Sequence, residues 1–407
     1  MNTLKNNQKS DPPTESLSQR CSPSSSTPTL ISIGMLAHNE AESIARTLRS
    51  LLTQTLLQSP SAVVELTVLA NGCSDNTAAI AHQILTEATQ TGPYPNLSWS
   101  VEDIPTPGKP NAWNLFVHQF SSPTAEYLFL MDADIELLGP HTLQAMLDTF
   151  TDYPQAQVIV DRPVKDVTIK ANKTLSERLS TLLSGLSGGN RKTAGEPAWL
   201  CGQLYCASAK ALRQIYLPIS RLGEDGFLYH LLVTDRLRSP KNPRRVIMAK
   251  DAVHSFEAYV QLSQLLKHER WLIVSNTVHD ILIDYLHHHG WYGAAASQYI
   301  NRCNQENPNW LGHLVIEKAR THRWLIPKAI LTRRFVSLTK RPLYKAIFLL
   351  PIAIAAFFVD LWLSFLANRD LHKGTALKYW GKPTPSPLQA EKQSMAQRPD
   401  KTAIGKY

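Results

Sequence analysis

Two acids one residue apart, Asp132 and Asp134, close the apolar run of "EYLFLMDADI" at residues 126–135. Alternate side chains of an extended strand point to the same side, so both carboxylates can converge where the strand ends. Hard oxygen ligands there suit Mg2+ or Mn2+, and such an ion suits the phosphates of a nucleotide. A bare D-x-D is common by chance, and the plain alternative has one acid capping a turn and the other solvated. Three polar clusters upstream change that balance, because each follows a strand-like run. "AHNEAESI" puts Asn39 and Glu40 behind the first run, where a polar side chain can meet a ribose or base. "LANGCSDNTAAIA" sets Asp75 ahead of a helix start after the second, a position suited to capping as well as to contact. "PTPGKPNAWN" sets Lys109 beside Gly108 on a loop before a helix, a point charge able to meet a diphosphate.

A second acid pair, Glu224 and Asp225 in "RLGEDGFLYHLL", lies at the mouth of a further helix. The helix dipole favours acids there whatever their use. A carboxylate so placed can also take the proton of an acceptor hydroxyl. Just upstream, "WLCGQLYCAS" offers small and aromatic residues, Gly202 and Gln203 among them, as the floor of an acceptor site. His254 in "DAVHSF" ends a late strand-like stretch, where a structural histidine is the plain reading. The run His287, His288 and His289 before Gly290 needs only a helix end, where partly charged imidazole is favoured.

These residues need a scaffold that brings strand ends together. Between Leu30 and about His254, short β-branched runs alternate with longer mixed stretches, which predicts an α/β fold with a mostly parallel central sheet and crossover helices. "LISIGMLAHN", "VVELTVLAN", "LSWSVEDI" and "EYLFLMDADI" read as strands. "EAESIARTLRSLL", "NTAAIAHQILTEAT" and "NAWNLFVHQF" read as the helices between them. Ligands of such sheets collect at the carboxyl ends of the strands, where the polar clusters fall. From about Phe256 the pattern turns to long helices. "LYKAIFLLPIAIAAFFVDLWLSFL", Leu343 to Leu366, approaches the roughly 20 residues that cross a bilayer. Pro351 and Asp360 interrupt it, and a carboxyl in lipid must face protein or water. The predicted organisation is a disordered tail (1–29), a catalytic domain (30–255), a helical accessory region (256–342), a transmembrane or interfacial helix (343–367) and a tail (368–407).

Taken together, the ordered clusters resemble the family 2 glycosyltransferases of the GT-A fold over roughly residues 30 to 275. The resemblance implies transfer of a sugar from a nucleotide donor. It sets Asn39, Glu40 and Asp75 against the nucleoside and matches the family's G-K-x-x-A-L-N loop with Gly108 to Asn114. It makes Asp132 and Asp134 the D-x-D acids, with Mg2+ or Mn2+ as cofactor and His254 as a candidate third metal ligand, and Asp225 the general base. Trp113 stands where Leu is usual and Cys73 where Ser is common. "QLLKHERW" is similar to the Q-x-x-R-W element of membrane-linked members and implies that Arg270 and Trp271 lie near the donor diphosphate and acceptor entrance. Lys267 replaces the Gln of that element, which takes support from processive polymerisation.

The chain of 407 residues carries 42 Lys and Arg against 33 acids, a formal charge of +9. From Lys318 to Lys345 there are nine basic residues and no acid, abutting the apolar run, which points to an anionic membrane surface and away from nucleic acid. Five cysteines without metal-ligand spacing (Cys21, Cys73, Cys201, Cys206, Cys303) fit a reducing compartment. The resemblance, joined to this charge pattern, implies an inverting, metal-dependent sugar transferase of cell-envelope glycan or glycolipid synthesis. It would be membrane-associated, with its catalytic domain in the cytoplasm and a lipid or glycan acceptor. A nucleotidyltransferase of similar fold would want a Gly-rich basic loop where "GMLAHNEAE" stands, and an oxidoreductase would want G-x-G-x-x-G. A non-catalytic, membrane-anchored scaffold with the same fold is the remaining alternative.

Overall fold

The computed structural model describes residues 28–166, 193–220, 223–257 and 261–375. Of the predicted tails (1–29 and 368–407), residues 1–27 and 376–407 lie outside the described residues. Strand β1 (Thr29–Ala37) is buried along nearly its whole length, as are β2 (Ala62–Asn71) and β4 (Tyr127–Asp132). Burial on both faces is what a near-continuous apolar run in a central parallel strand requires. β3 (Leu97–Ile104) is only partly buried, and it forms one edge. With β5 (Glu136–Leu137), β6 (Val158–Lys165), β7 (Leu204–Ser208) and β8 (Val246–Phe256), the sheet runs in the order β3-β2-β1-β4-β7-β6-β8-β5. β3, β2, β1 and β4 are mutually parallel, as are β6 and β8. β7 runs antiparallel to both β4 and β6.

The period of two decides which side chain serves which layer. From β1 and β4, Ile31, Ile33, Met35, Phe129 and Met131 enter one core with helices α1 (Ile44–Leu52), α2 (Thr77–Thr91) and α4 (Thr142–Asp152). From the same strands, Leu36, Leu128 and Leu130 enter the other core with α3 (Lys109–Leu115) and α5 (Glu224–Val233). This second core continues without a break into α6 (Leu262–His288), through Ile273, Val278 and Leu282. It goes on into α7 (Ala294–Glu306), α8 (Trp310–Thr321), α9 (Lys328–Thr339) and α10 (Leu343–His372). The accessory helices thus share a core with the sheet. α10 outruns the predicted segment by six residues and packs on α6, α8 and α9. Among the described residues it is the one helix long and apolar enough to cross a membrane.

Both departures from family habit find a local reason. Trp113 is 1% exposed, and its indole N–H donates to the Tyr205 hydroxyl over 2.6 Å, so the larger ring is packed and its polar atom satisfied. Cys73 sits between the first two loops: the Asn39 N–H reaches its Sγ at 3.3 Å, and the thiol points to the Ala37 carbonyl. A thiol there does the bridging that a hydroxyl would do.

Gly34 faces the α3 side of β1, where a Cβ would lie 2.6 Å from Cγ of the fully buried Phe116 ring. Gly34→Ala should therefore lower stability by about 1–3 kcal/mol through overpacking. Denaturant unfolding checks this, and an unchanged midpoint would show that the ring has room to move.

Candidate active site

The carboxyl ends of β1 and β2 carry two loops stitched to one another. Asn39 adopts a left-handed backbone (φ 55°), a conformation Asn tolerates better than most residues. Its Oδ1 accepts the Ser74 N–H at 2.8 Å. The Glu40 N–H donates to Thr77 Oγ1 at 2.8 Å, and the Ala41 N–H donates to Asp75 Oδ2 at 3.1 Å. Asp75 Oδ1 accepts the Thr77 N–H at 3.1 Å, so this acid caps α2 from one position ahead of the formal cap, Asn76, while it holds the first loop. Glu40 is 7% exposed and takes the Ser43 hydroxyl. The three residues assigned to the nucleoside are thus gathered in one rigid rim.

Beside this rim lies the electrostatic centre. Gly108 and Pro110 set the start of α3, and Lys109 projects from it. Its Nζ is 2.6 Å from Asp132 Oδ1 at the end of β4, 3.0 Å from Glu224 Oε1 at the start of α5, and 3.0 Å from the Gly202 carbonyl. Gly202 closes the floor: a Cβ there would stand 2.9 Å from Glu224 Oε1, 3.2 Å from Asp225 Cβ and 3.5 Å from Lys109 Nζ. The Asp132 N–H donates to the Gln203 carbonyl at 2.9 Å. The strand-end acid and the helix-mouth acid Glu224, 92 residues apart, therefore meet on one ammonium.

Crowding and burial shift the acids. Burial first, then the Asp134 and Glu224 carboxylates, push Asp132 up to about 7, although Lys109 pulls it down. Burial and then Glu224 push Asp225 up to about 6, opposed by Lys109 and by N–H groups of Gly226 and Gly202. Burial works against the Lys109 charge, yet Asp132 and Glu224 hold its ammonium well above the ordinary value. A carboxyl near 6 is poised to take a proton at neutral pH.

Other predicted residues lie elsewhere or in unexpected company. His254 is fully buried, with Nδ1 2.6 Å from Asp161 Oδ2 and Nε2 3.3 Å from Gln203 Oε1. Gln203 thus stands between the imidazole and Asp132. Arg270 is paired with Asp370 of α10. Trp271 lies under the acid pair, where a Cβ on Gly223 would meet its Cη2 at 2.7 Å. Sequence reasoning missed Asp161, although "VIVDRPV" shows a carboxylate inside an apolar run, the same signal that exposed the D-x-D.

Does this cleft suit a divalent ion? Among the described residues no three His, Cys, Asp or Glu side chains converge as a complete ligand set. Mg2+ is commonly held by one or two carboxylates plus substrate phosphates and water, so an incomplete protein set is the type such an ion uses. Asp132 and Glu224 share one ammonium, and the repulsion that Asp134 and Glu224 exert on Asp132 favours a further cation. Asp132 and Asp134 fit the group.

Lys109→Ala should leave Asp132 and Glu224 facing each other without a counter-charge. The expected loss of stability is about 2 kcal/mol at pH 8, shrinking at pH 5, where Asp132 is protonated and the repulsion falls. Urea unfolding at the two pH values checks this, and equal losses at both would mean the ammonium does not hold the acids together.

Residues 32–206 match the model of Glycosyl transferase family 2. No curated protein sequence matches the chain. Three similar solved structures are a mannosyltransferase, a glucosyl-3-phosphoglycerate synthase and TarS. The mannosyltransferase PcManGT from Pyrobaculum calidifontis, in complex with GDP-Man and Mn2+, is 15% identical over 84% of this chain and 86% of its own (TM-score 0.48). The synthase from Mycobacterium tuberculosis, in complex with Mg2+ and uridine diphosphate, is 18% identical over 62% of this chain and 79% of its own (TM-score 0.41). S. aureus TarS 1–349 is 15% identical over 85% of this chain and 92% of its own (TM-score 0.41). The D-x-D strand, the G-K loop and the N-E rim all lie inside the span that matches the Glycosyl transferase family 2 model.

Proposed function

We propose that this chain transfers a sugar from a nucleotide-diphosphate donor to a hydroxyl of a lipid or lipid-linked glycan at the inner face of a membrane, with inversion at the anomeric carbon. The observation that carries the reading is the Lys109 ammonium bonded at once to Asp132 and Glu224, which makes the donor-side acid and the acceptor-side acid pair walls of one cleft. Asn39, Glu40 and Asp75 bind the nucleoside in the rim they form. Asp132 reaches the ribose. Mg2+ or Mn2+ held by Asp132 and Asp134 would offset charge on the leaving diphosphate. Lys109, released from Asp132 as the donor enters, places its ammonium on that diphosphate.

Asp225 then takes the proton of the acceptor hydroxyl. It belongs to α5 while the D-x-D belongs to β4, so base and leaving group approach the sugar from different walls. Attack opposite the leaving group inverts the centre in one displacement. Glu224 keeps the Asp225 carboxyl raised, and Gly202 leaves room beside both. Gln203 and Trp271 shape the acceptor side. The apolar α10 and the basic segment before it support a membrane-borne acceptor, and the catalytic region is read as cytoplasmic.

The test is a panel of UDP- and GDP-sugars with Mg2+ or Mn2+ and a membrane lipid extract, followed by release of free nucleoside diphosphate. Asp225→Asn should cut turnover by at least about 100-fold, with donor affinity changed less than about threefold. The parent's turnover should fall as pH drops through about 6, because the base must be ionised. Full turnover in the Asn variant, or no acid limb, would remove Asp225 from the reaction.

A further inference from the structure

We propose that α10 lies flat on an anionic lipid surface as an in-plane docking element and does not cross the bilayer; this rests on the membrane-borne acceptor read above. From Ala353 onward the helix has two unlike faces, while no residue of Leu343–Ile352 is buried. At 100° per residue, Leu343, Ile347, Ile354, Phe358, Leu361 and Phe365 form an exposed stripe, Leu343 at 76% and Phe358 at 62%, which exposed Tyr344, Phe348, Ile352, Val359 and Trp362 widen to about half the circumference. The stripe is about 33 Å long. The opposite face presents Ala353, Asp360, Ser364, Ala367 and Leu371, all buried against the protein.

That inner face is tied down by polar contacts no hydrocarbon would accept. Asp360, 1% exposed, receives Arg333 at 2.7 Å and Arg334 at 2.9 Å from α9, and Arg333 also reaches Glu269 of α6 at 2.9 Å. Asn368 accepts the Leu325 N–H at 2.9 Å and donates to the Arg323 carbonyl at 3.0 Å. Asp370 pairs with Arg270. Only Leu343–Val359 precede these anchors, about 25 Å of helix, short of the roughly 30 Å hydrocarbon core. Spanning would also draw Lys345 inward and, through α9, the two arginines on Asp360.

Charge selects the occupant. Of the nine Lys and Arg from Lys318 to Lys345, with no acid among them, Arg333 and Arg334 are taken up by Asp360, and the other seven precede and enter the stripe. Lys340 and Lys345 are exposed near one end, Arg369 and Lys373 at the other. An apolar stripe one helix wide with cations at both ends fits acyl chains below and anionic headgroups around.

The full chain is floated with sealed vesicles of phosphatidylcholine, alone or mixed with phosphatidylglycerol. Flotation with the anionic vesicles only is expected. Phe348→Glu with Phe358→Glu, both on exposed side chains, should reduce it at least about tenfold with donor binding unchanged. An epitope at the carboxyl terminus should stay open to protease added outside. A protected epitope would mean a spanning helix and overturn the in-plane placement, while leaving the lipid acceptor standing. Equal flotation with neutral vesicles would overturn the headgroup selection. No flotation would overturn the docking altogether, including the case of a dimer that the two Glu substitutions split, which would assign the stripe to a second copy. Sugar transfer to the lipid extract, measured on the same preparations, reports separately on the acceptor.

Discussion

One ammonium holds the cleft together. Without Lys109, the end of β4 and the mouth of α5 would set Asp132 against Glu224 with no compensating charge. Three contacts of 3.0 Å or less fix that ammonium, so its position is set by geometry as much as by attraction. Taking charged groups out of water costs nearly as much as their attraction returns, and such a cluster adds little to stability while defining which elements meet. The upward shifts of Asp132 and Asp225 carry the same sign: the folded state binds their protons more tightly than the unfolded chain does. Their contribution to stability is fully present below the ordinary carboxylate range and is lost as pH rises through about 6 to 7. A site that resists ionisation of its own acids is ready for a cationic partner.

The sequence carried much of this in legible form, for identifiable reasons. β1, β2 and β4 are buried on both faces and so read as apolar runs. The polar residues that end them, Asn39, Asp75 and Asp132, stand out because the fold places function at strand ends. Glu224 and Asp225 were readable as a helix mouth. What stayed hidden was pairing between distant residues. Nothing in the spacing of "VIVDRPV" and "DAVHSF" says that Asp161 and His254 close on one another across 93 residues. Nor does it show that β7 enters antiparallel between β4 and β6. β7 carries Leu204 and Cys206 to one core and Tyr205 and Ala207 to the other, a period-two pattern too short to announce itself.

Asp360 shows how a local anomaly is resolved by a long-range partner. Alone in an apolar run, it reads as an interruption. In the fold it is the point where α9 grips α10, with two guanidinium groups on one carboxylate. Arg suits this because its planar fork offers several fixed donors, which lets both carboxylate oxygens be satisfied out of water. The sequence question of how a carboxyl survives beside Phe357, Phe358 and Val359 thus has a structural reply: it turns to the protein while Phe358 and Val359 turn away.

Three consecutive residues of α6 then connect the two ends of the molecule's chemistry. Successive helical positions point about 100° apart, and Glu269, Arg270 and Trp271 use that rotation to reach three different neighbours. Glu269 meets Arg333 of α9, Arg270 meets Asp370 of α10, and Trp271 packs against Gly223 beside Asp225. The resemblance to a Q-x-x-R-W element sets the last two near the donor diphosphate and the acceptor entrance. Their contacts give each a structural task as well, the arginine fixing the apolar helix and the tryptophan backing the acid pair. A shift of α10 relative to the sheet would have to move α6, and α6 cannot move without disturbing the tryptophan under Gly223. The apolar helix α10 and the Asp225 carboxylate are therefore held in register by a single turn of helix.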